Sequence, residues 1–147
     1  MDTDTPDSAV AGEARAIARL AETSMPNTRE SLAAELRALG VAPGMTLLVH
    51  SSLSALGWVC GGPVAVVQAL LDALEPDGTL IVPTHSGDYS DPAAWRHPPV
   101  PAAWAPIIRA TMPAFEPRIT PTRQMGAIAE TARNWPGALR SRHPNVS

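Results

Sequence analysis

The stretch that decides the fold is residues 46–82, TLLVHSSLSALGWVCGGPVAVVQALLDALEPDGTLIV. Its two ends, Thr46–His50 and Thr79–Val82, are short apolar runs, which are typical of strands buried on both faces. Between them, the residues from Pro63 onward carry apolar side chains at helical spacing: Val64, Val67, Leu70, Leu71 and Leu74. The order strand, helix, strand predicts two parallel strands joined by a right-handed crossover.

A helix is expected to precede this unit. Asn27 is suited to cap its start, and Glu30 follows three residues later at the spacing of a capping box. The predicted buried face consists of leucines at helical spacing, Leu32, Leu36 and Leu39. These elements together predict an α/β fold with three layers, α/β/α, around a mostly parallel sheet.

The remainder of the chain carries weaker signals. Residues 1–26 form a polar N-terminal extension, and residues 27–147 form the domain. Ten of the 16 prolines occur from Pro92 onward, which predicts short helices and long connections there. Asp91 and Pro92 open a helical turn. One helix is expected from Pro101 to about Met112, with the side chains of Trp104, Ile107, Ile108 and Met112 on its buried side. Another is expected over residues 126–135, with Ile128 and Ala132 inward.

Composition excludes several classes of protein. A net charge of −3 argues against binding nucleic acid through a broad basic surface. A single cysteine excludes an internal disulfide and a multi-cysteine metal site, and the four histidines form no zinc motif, so no metal is expected. No apolar run reaches the roughly 20 residues of a membrane span. These features predict a soluble, cytoplasmic protein with no membrane partner, and its oligomeric state is not readable from them.

The first candidate site is the long loop from Ser51 to Gly62. It leaves the carboxyl end of a strand and enters a helix N-terminus, where open α/β sheets bind ligands. Unpaired N–H groups at the helix start suit a phosphate, and the loop's serines and glycines allow donation and close approach. The alternative is an ordinary polar loop with glycines for its turns, and spacing alone leaves both open. Cys60 within it is expected to be a small buried thiol rather than a nucleophile.

Two further segments carry polar candidates. His85 and Asp88 follow the second strand, and their residue types suit a general base and its orienting partner. The favoured alternative is that His85 is a histidine in a surface loop. Near the end of the chain, Arg140, Arg142 and His143 have the composition of an anion site, and a solvated basic turn is the favoured alternative.

Four stretches taken together resemble the aminoglycoside 3-N-acetyltransferase family. They are LRALGVAPGMTLLVHSSLSALGWVCGGPVAVVQALLDAL, PDGTLIVPTHSGDYSDPAAW, PPVPAAWAPIIRATMPAFEPRITPTRQMGAIAE and RSRHPNVS, between about Leu32 and Ser147. The resemblance implies transfer of an acetyl group from acetyl-CoA to the 3-amino group of an aminoglycoside-like substrate, in a ternary complex, with a histidine as general base. No metal is implied.

The resemblance also implies a set of cofactor-binding residues. They lie on the loop after the first strand, after the second strand and near the end of the chain: Ser51, Ser52, Leu53, Ser54, Leu56, Gly57, Gly61, Gly62, Pro83, Thr84, His143 and Ser147.

The family's members are roughly twice this length, and their catalytic histidine belongs to a later segment of the pattern N-T-x-x-H-x-x-E. The chain is therefore expected to be the N-terminal part of such a domain, incomplete as a fold and ending before the base. No histidine here receives that role, and the acidic surface for a cationic aminoglycoside is expected to be largely missing.

Two alternative functions remain. One is an inactive or non-enzymatic α/β fragment that binds CoA or another phosphorylated ligand, motivated by a loop-to-helix site without a base. The other is a hydrolase or acyl-transfer enzyme using Cys60 or a loop serine with His85 or His143, for which no orienting motif is present.

Overall fold

A computed structural model describes residues 25–144. The predicted extension lies outside the described residues except for Met25 and Pro26, and Ser147 also lies outside them. The helices and strands of the described part are α1 (Arg29–Ala38), β1 (Thr46–Leu48), α2 (Gly62–Leu74), β2 (Thr79–Ile81), α3 (Ala105–Thr111) and α4 (Gly126–Arg133). Short 3-10 helices cover Leu53–Leu56, Gly87–Tyr89, Pro92–Ala94 and Ala102–Trp104.

The chain divides into two compact units. The first unit contains Ser52–Gly78 and the described residues of Met1–Met45, and therefore α1 and α2. The second unit contains Thr46–Ser51 and the described residues of Thr79–Ser147, and therefore both strands with α3 and α4. None of the helices within residues 25–144 is both long enough and apolar enough to cross a membrane.

The two strands pair in parallel, as predicted. Leu47 is opposite Leu80 and Leu48 is opposite Ile81, and the Val49 N–H extends the ladder by donating to the Ile81 carbonyl at 2.9 Å. The carboxyl ends of both strands therefore lie at the same edge of the sheet.

The prediction that both faces of these strands are buried is wrong for the described part of the chain. Side chains alternate across a strand, and Leu48 and Ile81 share a face on which they are 57% and 45% exposed. Leu47 and Leu80, on the opposite face, are half-buried. Apolar runs thus indicated parallel pairing correctly, but within the described residues only one face of the sheet is covered.

The cap of α1 differs from the prediction. Thr28, not Asn27, precedes the helix, and its hydroxyl accepts from the Ser31 N–H while the Ser31 hydroxyl accepts from the Thr28 N–H. This is a capping box formed one residue later than expected, because the side chain of Asn27 donates elsewhere. Leu32 is buried on the predicted face, whereas Leu39 is 83% exposed at the helix end.

Helix α2 supplies the core of the first unit. It begins at Gly62, one residue before the predicted start at Pro63, and its buried side chains are Ala65, Val66, Val67, Ala69, Leu70, Ala73 and Leu74. Val64, which the pattern placed inward, is 46% exposed in the first turn. Alanines at the contact allow α1 and α2 to pack closely, with Leu32 and Ala33 buried on the α1 side.

The second unit has shorter elements. The predicted helix from Pro101 begins as a 3-10 turn and continues as α3, in which Ala105 is buried while Trp104 and Ile107 are exposed. The turn at Asp91 is confirmed, since its carboxylate accepts from the Ala93 N–H. In α4, Ile128 is buried as predicted, together with Ala129.

Candidate functional site

The edge at the carboxyl ends of β1 and β2 gathers several predicted site residues. Ser51 follows β1, and Pro83 and Thr84 follow β2, so the parallel register leads all three to the same edge. Ser51 and Pro83 are half-buried and Thr84 is buried. This edge is where ligands of parallel α/β sheets bind.

Behind this edge lies a polar cluster centred on Arg140. Its guanidinium donates to the carbonyl oxygens of Thr84 and Thr120, and to the Ser86 hydroxyl at 2.8 Å. It also lies over the Phe115 ring, with Cζ 4.9 Å from the ring centroid. Burial lowers the pKa of Arg140, and the nearby charge of Arg133 lowers it further.

The cluster fixes the end of β2 against the end of the chain. Ser86 is buried, its hydroxyl donates to the Pro121 carbonyl at 2.6 Å, and its N–H donates to the Pro144 carbonyl at 2.8 Å. His143, the neighbour of Pro144, is thereby brought beside the segment that follows β2. The site residues Thr84 and His143, 59 positions apart in sequence, thus belong to one structural neighbourhood.

The expectation of a basic turn near the end of the chain, either solvated or holding an anion, is wrong for Arg140. Its guanidinium binds carbonyl oxygens of the chain itself, because the surrounding backbone presents acceptors that need donors. Arg142 and His143 are exposed, as a solvated turn requires.

His85 and Asp88 do not form a base and its orienting partner. The Asp88 carboxylate accepts from the Arg123 guanidinium at 3.0 Å, and the His85 carbonyl accepts from the Arg123 N–H at 2.8 Å. His85 lies in a loop, as the preferred interpretation has it, and the residue is half-buried.

A cavity of about 530 Å³ opens beside this ion pair. Trp95, Arg96 and His97 line it together with Asp88 and Arg123. The sequence pattern did not single out this cavity, because its walls come from segments without regular periodicity.

The loop after β1 is ordered by its own hydrogen bonds. Leu53–Leu56 forms a 3-10 helix, and the hydroxyls of Ser52 and Ser54 lie 3.1 Å apart on its exposed side. Gly57 ends this turn at φ 71° and ψ −148°, a conformation that only glycine adopts readily. The loop therefore has a defined backbone conformation.

Asn27 holds the far end of this loop. Its Nδ2 donates to the Leu56 carbonyl at 2.6 Å, its N–H donates to the Trp58 carbonyl at 3.0 Å, and its own carbonyl accepts from the Cys60 N–H at 2.8 Å. The two main-chain bonds form an isolated parallel bridge between Asn27 and Val59. The sequence pattern gave Asn27 the role of a helix cap, and its position 29 residues before Leu56 left no local signal of this contact.

The loop passes into α2 through Gly61, at φ 86°. The left-handed backbone favours glycine at this position, and a Cβ would also crowd the Ala65 Cβ at 3.2 Å. The prediction that Cys60 is buried is wrong: the thiol is exposed because its backbone is held by Asn27 at the surface of the turn.

The predicted residues thus fall into two groups. Ser51, Pro83, Thr84 and His143 belong to the second unit, while the loop residues Ser52, Leu53, Ser54, Leu56, Gly57, Gly61 and Gly62 belong to the first. Ser52, Ser54 and Gly61 are exposed. Within residues 25–144, no group of three or more histidine, cysteine or acidic side chains is arranged to hold a metal ion.

The sequence model of the family described as aminoglycoside 3-N-acetyltransferase matches residues 48–147. The chain is 52% identical over 126 residues to the SPbeta prophage-derived aminoglycoside N(3')-acetyltransferase-like protein YokD of Bacillus subtilis strain 168, which covers 85% of the chain and 46% of that protein. It is 42% identical over 125 residues to aminoglycoside N(3)-acetyltransferase VIII of Streptomyces fradiae, covering 83% of the chain and 42% of that protein.

Solved structures give the same result. The crystal structure of YokD from Bacillus subtilis superposes with a TM-score of 0.82 at 50% identity, over 85% of this chain and 47% of that one. The structure of AAC-IIIb in binary complex with CoASH superposes with a TM-score of 0.69 at 32% identity, over 83% of this chain and 44% of that one. The chain therefore spans just under half the length of the relatives that it matches.

Proposed function

Since the chain belongs to the aminoglycoside 3-N-acetyltransferase family, we propose that it carries the acetyl-CoA-facing part of an enzyme that acetylates the 3-amino group of an aminoglycoside. The observation that carries the proposal is the ordered loop Ser51–Gly62, which leaves the carboxyl end of β1 and enters the N-terminus of α2. A relative of this fold is described in complex with CoASH.

In this proposal the loop binds the cofactor through main-chain and hydroxyl donors. The exposed hydroxyls of Ser52 and Ser54 donate to its polar atoms, and the glycines at Gly57 and Gly61 let the backbone approach it closely. The positive end of the α2 dipole favours a negatively charged group such as a phosphate. The set of unpaired N–H groups is smaller than predicted, because the Gly62 and Ala65 N–H groups donate to the carbonyls of Val59 and Gly61 and Pro63 has no N–H. Pro83, Thr84, His143 and Ser147 are proposed as further cofactor-binding residues on the family resemblance alone.

The chemistry is acyl transfer from a thioester to an amine. The acceptor nitrogen forms a bond to the acetyl carbonyl carbon, the carbon–sulfur bond breaks, and CoA leaves as a thiolate. The amine proton passes to a general base and from there to the thiolate sulfur. We assign no histidine of this chain to that base. The carboxylates of Asp88 and Asp91 are paired with the guanidinium groups of Arg123 and Arg109.

The proposal predicts cofactor binding by the 147-residue chain without measurable turnover. Titration with CoA, followed by calorimetry and by amide chemical shifts, should give saturable binding with shifts in residues 51–62. The double variant Ser52→Ala, Ser54→Ala should weaken CoA binding about tenfold, as expected for two lost hydrogen bonds. Thr111→Ala, an exposed hydroxyl lost from α3, is the matched control and should bind as the parent does.

Two outcomes would overturn the proposal. One is an absence of heat and of shift changes at millimolar CoA. The other is binding that the serine variant leaves unchanged. Acetylation of gentamicin or sisomicin by the chain alone would overturn the part of the proposal that places the base elsewhere.

A further inference from the structure

We propose that Asn27 is a positioning residue for the cofactor loop, and that its side-chain amide sets the loop's shape for CoA. The inference rests on the proposed function, because it assigns to Asn27 a role in the site on Ser51–Gly62. Asn27 itself lies outside the loop and was expected only to cap α1.

The first step of the argument is the hydrogen-bond pattern of Asn27. Its side-chain amide and its main-chain N–H and carbonyl reach the three loop residues Leu56, Trp58 and Cys60 at 2.6–3.0 Å. The main-chain pair would form with any residue at this position. The bond from Nδ2 to the Leu56 carbonyl requires a side-chain donor of asparagine's length, so it is the part that depends on the amino acid.

The second step concerns where the Nδ2 bond acts. Leu56 ends the 3-10 turn that carries Ser52 and Ser54, and Gly57 follows it at a positive φ that favours glycine. The bond therefore fixes the junction between the serine-bearing turn and the segment that leads into α2. Losing it frees this junction while the serines themselves remain unchanged.

The third step separates Asn27 from the stability of α1. The helix is capped by Thr28 and Ser31, and neither of their capping bonds includes the Asn27 side chain. A change at Ser31 should therefore weaken the helix without releasing the loop, whereas a change of the Asn27 side chain should release the loop and leave the capping box in place.

The test compares Asn27→Asp and Asn27→Ala with two controls. Asp replaces the donor by an oxygen that faces the Leu56 carbonyl, and Ala removes it. Ser31→Ala is the control for helix stability, and Asn134→Asp makes the same chemical change at an exposed asparagine of the second unit. The measurements are the dissociation constant for CoA, hydrogen exchange of the Gly57 and Cys60 amides, and the thermal midpoint.

The expected result is a roughly tenfold weaker affinity for CoA in both Asn27 variants, with at least tenfold faster exchange at Gly57 and Cys60. Both controls should keep CoA affinity within about twofold of the parent. Unchanged exchange in the Asn27 variants would overturn the proposal. So would faster exchange without weaker binding, or an equal loss of affinity in Ser31→Ala.

If the parent chain shows no binding of CoA, the proposed function fails, and with it the cofactor role of Asn27. The exchange data still decide separately whether Asn27 fixes the loop.

Discussion

Each of the two units of the chain is stabilised internally by a different kind of interaction. In the first unit the buried side chains are apolar, and most come from α1 and α2: Leu32, Ala33, Val59, Ala65, Val66, Val67, Ala69, Leu70, Ala73 and Leu74. Among the described residues of the second unit, the buried apolar set is Pro92, Ala105, Ile128 and Ala129, and the buried polar residues Thr84, Ser86 and Thr120 all contact Arg140. One unit has an apolar core, and the other is organised around a guanidinium.

Proline content explains this difference. Ten of the 16 prolines occur from Pro92 onward, and each removes one N–H donor while leaving its carbonyl acceptor. The surplus acceptors are satisfied by side chains: the Pro121 carbonyl accepts from the Ser86 hydroxyl, and the Pro117 carbonyl accepts from Arg140. Arginine, with five N–H donors, suits a segment that lacks main-chain donors.

The largest expected effect tests the apolar core. Leu74→Ala should lower the free energy of unfolding by about 4 kcal/mol, because it leaves a cavity in a close-packed interior. Leu74 is 2% exposed, whereas the control Leu39→Ala removes a side chain that is 83% exposed and should cost less than about 0.5 kcal/mol. Urea unfolding followed by circular dichroism measures both. Equal losses in the two variants would show that α2 is not the core of the first unit.

The next largest effect on stability is expected from removing the Arg140 guanidinium. Arg140→Met keeps much of the aliphatic stem but leaves the carbonyl oxygens of Thr84 and Thr120 without this donor. It should lower the free energy of unfolding by about 3 kcal/mol, since each unsatisfied buried acceptor costs about 1–3 kcal/mol.

The control for this variant is Arg142→Met, two residues later and exposed, which should change the free energy by less than about 0.5 kcal/mol. Hydrogen exchange adds a local measurement, because Arg140→Met should speed exchange of the Ser86 amide, which donates to Pro144. A slow Ser86 amide in this variant would show that the end of β2 is held by other contacts.

The comparison also shows what the sequence could predict. Parallel pairing, the start of α2 and the burial of Ile128 followed from periodicity and from proline placement, which report local geometry. The roles of Asn27 and Arg140 did not follow, because each depends on partners 20 or more residues away. The family resemblance pointed to the loop as a candidate site, but it could not identify the residues that hold the loop in place.

A smaller effect concerns the pH dependence of the second unit. Burial opposes ionisation of Glu130, but hydrogen bonds from the Arg133 guanidinium and the Thr122 N–H outweigh it and lower the pKa to about 2. Because the folded state favours the ionised carboxylate, its stabilisation is complete above about pH 4.5 and is lost as pH falls toward 2.

Glu130 is partly exposed, so solvent screening reduces this contribution to about 1 kcal/mol. Denaturant unfolding at pH 6 and pH 3 should show a smaller difference in Glu130→Gln than in the parent. The matched control is Glu35→Gln on the exposed side of α1, which should keep the parent's pH dependence. An identical pH dependence in the parent and Glu130→Gln would show that this carboxylate contributes nothing to the second unit.

The smallest effect is expected from the exposed ion pairs, of which each unit contains examples. Arg29 and Asp72 pair in the first unit at 2.6 Å, and Arg109 and Asp91 pair in the second at 2.7 Å. A hydrogen bond from Arg29 lowers the pKa of Asp72. Hydrogen bonds from the Ala93 N–H and from Arg109 lower the pKa of Asp91. Because exposed pairs are screened by salt, Asp72→Asn and Asp91→Asn should shift the unfolding midpoint less than Leu74→Ala, Arg140→Met or Glu130→Gln, and by nearly nothing in 1 M NaCl. A salt-resistant loss in Asp91→Asn alone would mean that the second unit relies on arginine–carboxylate pairs as well as on the Arg140 carbonyl cluster, and the contrast between the units would then extend to their surfaces.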